Sequence, residues 1–207
     1  TRRRGSDLVG LQVSRLYLNR LDRALIEMCR PDRFPRLKEY FRGFWSGGTF
    51  YDSIETYQRH LYHHMEKLRP PQLMLMHGDC HSRNIMLDEC YDHIKLIDLD
   101  KIDYAGDYIM DVALLIEDAA LFRRLFDDSY YYYLRPDLID ISGAGVQINY
   151  PHFVSEASML FQQMLCEQVD EFANEMGDRH YKARLWLAIA LYLLRIVEKA
   201  EQFKSGA

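Results

Sequence analysis

No stretch of this chain stays apolar for long. The longest such run, Leu185 to Leu194, ends after ten residues at Arg195, whereas a bilayer-spanning helix needs roughly 20. The opening Thr1-Arg-Arg-Arg-Gly5 shows no secretory pattern, and the missing initiator Met reads as a processed chain or a piece of something larger. Cysteine is sparse. Its four residues (Cys29, Cys80, Cys90 and Cys166) are scattered and form no C-x-x-C, so reduced thiols in the cytoplasm are the default and a disulfide framework is not. Basic charge is in deficit, with 26 Lys and Arg against 31 Asp and Glu for a net −5. That balance speaks against a dedicated nucleic-acid binder and suits a cationic substrate. Gly143-Ala144-Gly145 lacks the longer glycine pattern and the Lys of a phosphate loop. Internal repeats and low-complexity segments are absent too.

What remains is an ordinary soluble composition, 48% apolar and 28% charged over 207 residues, enough for one good core or two thin ones. The chain is organised around residues 72 to 100. A short apolar run, Leu73 to Met76, leads into a polar loop, His77-Gly78-Asp79-Cys80-His81-Ser82-Arg83-Asn84. A second run, Ile85 to Leu87, leads out of it to a turn at Asp88–Asp92. A third, Ile94 to Ile97, ends in Asp98-Leu99-Asp100. Short apolar runs bounded by turn residues read as small buried strands.

Phosphoryl transfer suits this arrangement. It needs a carboxylate to accept the proton of an attacking hydroxyl, and oxygen ligands to hold Mg²⁺ against nucleotide phosphates. Asp79 fits the first role, and Asn84 and Asp98 fit the second. Asp79 and Asn84 stand five apart, the separation of the kinase catalytic Asp and Asn.

The loop resembles the H-G-D-x-H-x-x-N segment of the aminoglycoside phosphotransferase and choline kinase group. Ile97-Asp98-Leu99-Asp100 resembles that group's I-D-x-D strand end, and Gly106-Asp107-Tyr108-Ile109-Met110-Asp111-Val112-Ala113 its G-D-x-x-x-D-x-A segment. The resemblance implies Asp79 as catalytic base, with Asn84 and Asp98 as ligands of Mg²⁺ on ATP. It implies Asp111 as a structural brace that caps the next helix and holds the loop, and His77 as a hydrogen-bonding brace. Position 81 is where protein kinases often place a Lys facing the transferred phosphate, which puts His81 near the γ-phosphate or in support behind it. Arg83 is solvated or phosphate-facing. Asp100 is a further metal-site carboxylate or a loop anchor. Cys80, inside the loop, is the thiol to watch for modification.

Along the rest of the chain, residues 6 to 29 read as a helix with Ser6 or Asp7 as cap and Leu11, Leu18, Leu21, Leu25 and Met28 as its stripe. A connector follows, then a short helical stretch ending near Phe44-Trp45 and a turn at Ser46-Gly47-Gly48. A helix striped by Phe50, Ile54, Tyr57, Leu61 and Met65 ends at Pro70-Pro71. His60, His63 and His64 on it lack the companion ligands of a zinc motif. Tyr108 to Phe126 reads as a helix capped by Asp107. The tyrosines 130 to 133 are an aromatic cage for a quaternary ammonium or half core and half surface. Pro136 and Gly143–Gly145 mark a loop region. Two amphipathic helices close the chain, one from Val154 to Phe172 ended by Gly177, the other through Leu185 and Ile196.

The expected fold is therefore α+β, mainly α. The resemblance makes the whole chain, 1–207, one unit, the C-terminal catalytic lobe of the protein-kinase-like fold, with a small β insertion carrying the catalytic loop. The N-terminal lobe, a β-sheet that covers ATP and supplies a Lys, has no counterpart before residue 72, and is expected upstream or from another chain. The expected function is transfer of the γ-phosphate of ATP to a hydroxyl of a small molecule. A non-catalytic pseudokinase-like module is the alternative. A metal-dependent phosphohydrolase fits less well, since two-metal sites take more His and Asp ligands. The acceptor pocket would lie within residues 108 to 207, where Glu117, Asp118, Asp127 and Asp128 face an ammonium-bearing substrate or are solvated helix charges.

Overall fold

Asp7 starts the first helix by accepting from Gly10 N at 3.0 Å, so one orphan N–H of the first turn is satisfied by a side chain. The computed structural model describes residues 7–28, 30, 43–46, 48–90, 92–118, 139–142, 145–148 and 156–204. Within these, α1 (Leu8–Val13) passes through a π-helical turn (Ser14–Leu18) into α2 (Asn19–Met28). The stripe read from the sequence is thus one helical run with a wider turn inside it, and Leu16, Tyr17 and Leu18 of that turn are all buried.

A correction follows at Phe44-Trp45, expected at the end of a helix. They lie on β1 (Phe44–Ser46), paired antiparallel with β2 (Thr49–Tyr51). Aromatic residues favour strands. Ser46 pairs with Thr49, and between them Gly48 takes a positive φ of 80°, a conformation that tight hairpin turns demand. Phe50 consequently belongs to β2, and the next helix, α3 (Ile54–His63, capped by Ser53), is shorter than its stripe implied, with a 3-10 turn at Met65–Leu68.

β3 (Met74–Met76) pairs antiparallel with β6 (Asp103–Gly106), and β4 (Ile85–Leu87) with β5 (Ile94–Leu96). The 77–84 loop joins β3 to β4. α4 (Tyr108–Ile116) follows β6, and the chain stays helical through Asp118 with a π-helical turn at 117–118. The remainder of the expected helix to Phe126, and the tyrosines 130–133, lie outside the described residues.

β7 (Ile139–Ser142) pairs antiparallel with β8 (Gly145–Ile148), Ser142 opposite Gly145; Pro136, Gly143 and Ala144 of the expected loop region lie outside the described residues. α5 (Glu156–Glu175) and α6 (Tyr181–Lys204) close the chain, with Gly177 between them. The molecule is mostly helical with small antiparallel sheets.

The core lies where α4 packs on α6. Ile109, Met110, Ala113 and Ile116 meet Leu185, Ala188, Ile189 and Tyr192, and Leu16, Tyr17, Leu21 and Leu25 close one side. A helix apolar on nearly all faces belongs inside, and α4 is such a helix. One buried polar network pins its start. Arg184 is wholly buried; it donates to Asp107 at 2.7 Å and makes a two-pronged bond to Asp178. Tyr17 donates to Asp107 at 2.7 Å and Tyr108 to Asp178 at 3.1 Å. Asp107 also caps α4 through Ile109 N. The fold thereby fixes the helix against which the 77–84 loop rests.

Candidate active site

The two carboxylate oxygens of one helix side chain anchor the loop's beginning. Asp111, on the first turn of α4, accepts His77 N at 2.6 Å on one carboxylate oxygen and Gly78 N at 2.9 Å on the other. Burial pushes the Asp111 carboxyl above its ordinary range, against the pull of those two N–H groups. Gly78 has φ +82°, and a Cβ there would run into the carbonyl oxygen of Lys101. Only glycine lets the loop pass this close to the segment after β5.

His77 is buried and fastens the loop to the end of that hairpin. Its Nε2 donates to the Ile97 carbonyl at 2.9 Å, which leaves Nδ1 to accept from Asp79 N at 3.3 Å. The two bonds suit the tautomer with the proton on Nε2. From the other side, Ile97 N donates to the Asn84 carbonyl at 3.0 Å. Ile97 is therefore held between both halves of the loop, and Asp98 emerges next to it.

Asp98 is exposed and left-handed, with φ 61° and ψ 58°. It is the one non-glycine residue with positive φ among the described residues. Such a backbone costs about 1–3 kcal/mol and is tolerated where the surroundings over-determine it, often at functional sites. Asp100 is exposed as well, and the charges of Asp98 and Asp100 both act on Lys101.

Asn84 is buried at the end of a 3-10 turn, Ser82–Asn84. Its amide nitrogen donates to the Asp79 carbonyl at 3.0 Å and approaches His81 Nε2 at 3.4 Å. The amide oxygen is thereby left as its ligand-capable atom. His81 lies beside Asp79, Nε2 to carboxylate 3.9 Å, and its Nδ1 is buried with no hydrogen-bond partner among the described residues. Arg83 is exposed.

The Asp79 carboxylate bonds the ammonium of Lys101. Burial opposes its ionisation, but Lys101, with the charges of His81 and Arg195, more than offsets this and holds the carboxyl below its ordinary value. Sequence reasoning missed Lys101, which sits one residue beyond the I-D-x-D pattern. The signal was a lone cation after two acids at a strand end.

Other residues land differently from expectation. Cys80 is half-buried, and burial pushes its thiol up to about 11, which disfavours the nucleophilic thiolate. Glu117 and Asp118 are buried, so neither is a solvated helix charge. Asp118 accepts Ser82 N at 2.7 Å and bonds the Ser82 hydroxyl. Asp127 and Asp128 lie outside the described residues. Among the described residues no three His, Cys, Asp or Glu side chains gather as a metal centre, the helical histidines of α3 included.

A divalent cation bridging nucleotide phosphates does not need such a cluster. Mg²⁺ is characteristically held by one or two protein oxygens, the rest coming from phosphates and water. An amide oxygen from Asn84 and a carboxylate from Asp98 are that kind of donor set.

A model of the phosphotransferase enzyme family matches residues 9–138, a span that takes in the loop, the β4–β5 hairpin and α4. No curated protein and no solved structure matches the chain.

Proposed function

Because the chain belongs to the phosphotransferase enzyme family, we propose that it moves the γ-phosphate of ATP to a hydroxyl of a small molecule, with Asp79 as the base. The observation that carries this is the tethering of Asp79, Asn84 and Asp98 to one another. The Asp79 carbonyl takes the Asn84 amide, and His77 and Asn84 together grip Ile97, the residue before Asp98.

In this reading Asn84 and Asp98 would hold Mg²⁺ on ATP, and the bound ion would supply positive charge beside the phosphates. The acceptor hydroxyl donates to Asp79. As its oxygen bonds the γ-phosphorus, the bond to the leaving ADP oxygen breaks and the hydroxyl proton passes to Asp79. A carboxylate held below its ordinary pKa is a weak base, so Asp79 orients the hydroxyl and takes the proton late. A loose transition state for phosphoryl transfer requires no more. His81 faces the transferred phosphate. Asp111 and His77 hold the loop, and Asp100 and Lys101 set the charge around Asp79.

The chain then acts as the catalytic, C-terminal lobe of a kinase-like fold, paired with an ATP-covering lobe from upstream or another chain. Exposed apolar side chains on the β4–β5 hairpin and just beyond (Met86, Leu87, Ile94, Leu96 and Leu99) support a covering partner there. No helix among the described residues is long and apolar enough to cross a membrane. A cytoplasmic location goes with an ATP substrate and with free thiols at Cys80, Cys90 and Cys166.

The test is a screen of alcohol acceptors with ATP and Mg²⁺, reading phosphorylated product by mass spectrometry. Product that disappears with Asp79→Asn supports the reading. Phosphate release without any acceptor product points to a phosphohydrolase, and neither product nor release points to a binding module.

A further inference from the structure

The geometry points to Asp118 as a positioning residue for the metal-ligating amide of Asn84, a role that rests on the phosphotransferase reading above. Asn84 closes the 3-10 turn that Ser82 opens. The first N–H groups of such a turn have no partner inside it and are normally satisfied by the residue just before. His81 stands at that place and makes no side-chain cap bond. The cap comes instead from 36 residues away, where Asp118 accepts both Ser82 N at 2.7 Å and the Ser82 hydroxyl.

Asp111 and Asp118 are seven residues apart on one helical run, which puts them on the same face and ~10 Å apart along the axis. Asp111 takes the two N–H groups before Asp79, and Asp118 takes the N–H and the hydroxyl of Ser82 after it. One helix face therefore grips the loop on both sides of Asp79. The second grip fixes the direction of the turn, and with it where the Asn84 amide oxygen points. Asp118 is 7% exposed, which leaves it little surface to offer an ammonium-bearing acceptor.

The test uses the full chain and Mn²⁺ as probe, titrated by electron paramagnetic resonance at fixed ATP, with melting temperature recorded for every variant. Asp118→Ala is expected to weaken Mn²⁺ about tenfold, the usual cost of losing a group that orients a ligand, while the chain stays folded at the assay temperature. Asp118→Asn keeps an acceptor oxygen and should recover part of that loss. Ser82→Ala changes an exposed residue, so it folds whatever happens at position 118, and removes one bond for an expected two- to threefold weakening, roughly the net worth of a single hydrogen bond. Wild-type Mn²⁺ affinity in Ser82→Ala and in any folded Asp118 variant, with affinity lost in Asp98→Ala, overturns the inference and spares the functional reading. Affinity unchanged in Asp98→Ala, or absent from the wild type, overturns the reading itself and the inference with it.

Discussion

Lys101 sets its ammonium on the carboxylate of Asp79 from the segment that follows β5. This contact is the largest influence lowering the Asp79 pKa, against burial, which raises it. The folded pKa of Asp79 lies below its unfolded value. The pair therefore adds stability above the unfolded pKa, and that contribution is lost as pH falls through the depressed folded value.

Removing the cation reverses the balance. In Lys101→Ala burial acts with less opposition, so the Asp79 carboxyl should titrate at higher pH than in the wild type. Carboxyl-carbon NMR titration reads this directly, and the acid limb of a pH–rate profile should move the same way. A limb that stays in place would show that Lys101 does not set the charge of Asp79.

At Gly78 the expected result is functional loss with a modest stability cost. Gly78→Ala combines a positive φ with a collision against the Lys101 carbonyl, and costs on the order of 1–3 kcal/mol by backbone strain. The loop must move off the Lys101 backbone, which carries Asp79 with it. Thermal melting should show a folded protein, while nucleotide-dependent activity falls at least tenfold.

Arg184 should respond more severely. Truncating it to Ala leaves Asp107 and Asp178 as buried carboxylates without their cation. Breaking a buried pair on one side costs about 3–5 kcal/mol, or roughly 10 °C of melting temperature for a chain of this size. Calorimetry checks this. A fall of under ~2 °C would mean that the network is dispensable.

Thiol labelling separates the cysteines. A thiol moved from 9.0 to about 11 has about a hundredfold less thiolate at pH 8. Cys90, which is exposed, should be alkylated by iodoacetamide well before Cys80, and peptide mapping after a timed pulse would show the order. Equal rates would contradict the burial of Cys80.

Local order was legible wherever neighbouring residues decide it. Asp7 and Asp107 cap the helices whose stripes they precede, and the strands around the loop follow their short apolar runs, although β4 and β5 are largely exposed rather than buried as those runs implied. The hairpin at Phe44–Tyr51 was misread because aromatic residues fit a helical stripe as well as a strand, and the Gly47-Gly48 turn was the deciding cue. The Gly143–Gly145 stretch gave the same cue. Long-range pairings were not legible. Nothing near Arg184 in sequence announces Asp107, 77 residues earlier. Asp118 read as a substrate-facing acid or a solvated helix charge because Ser82, which it bonds, lies beyond any local pattern. Lys101 adjoins the motif, yet only the tight passage of Gly78 against its backbone brings its side chain round to Asp79.

Titration calorimetry with Mg²⁺-ATP on the wild type and on Asp98→Ala tests the phosphotransferase site most directly. Binding in the wild type that vanishes in Asp98→Ala is the expected result, and it would place the metal–nucleotide complex at the end of β5. Equal heats in both proteins would contradict it and leave the acidic strand end with a structural role only.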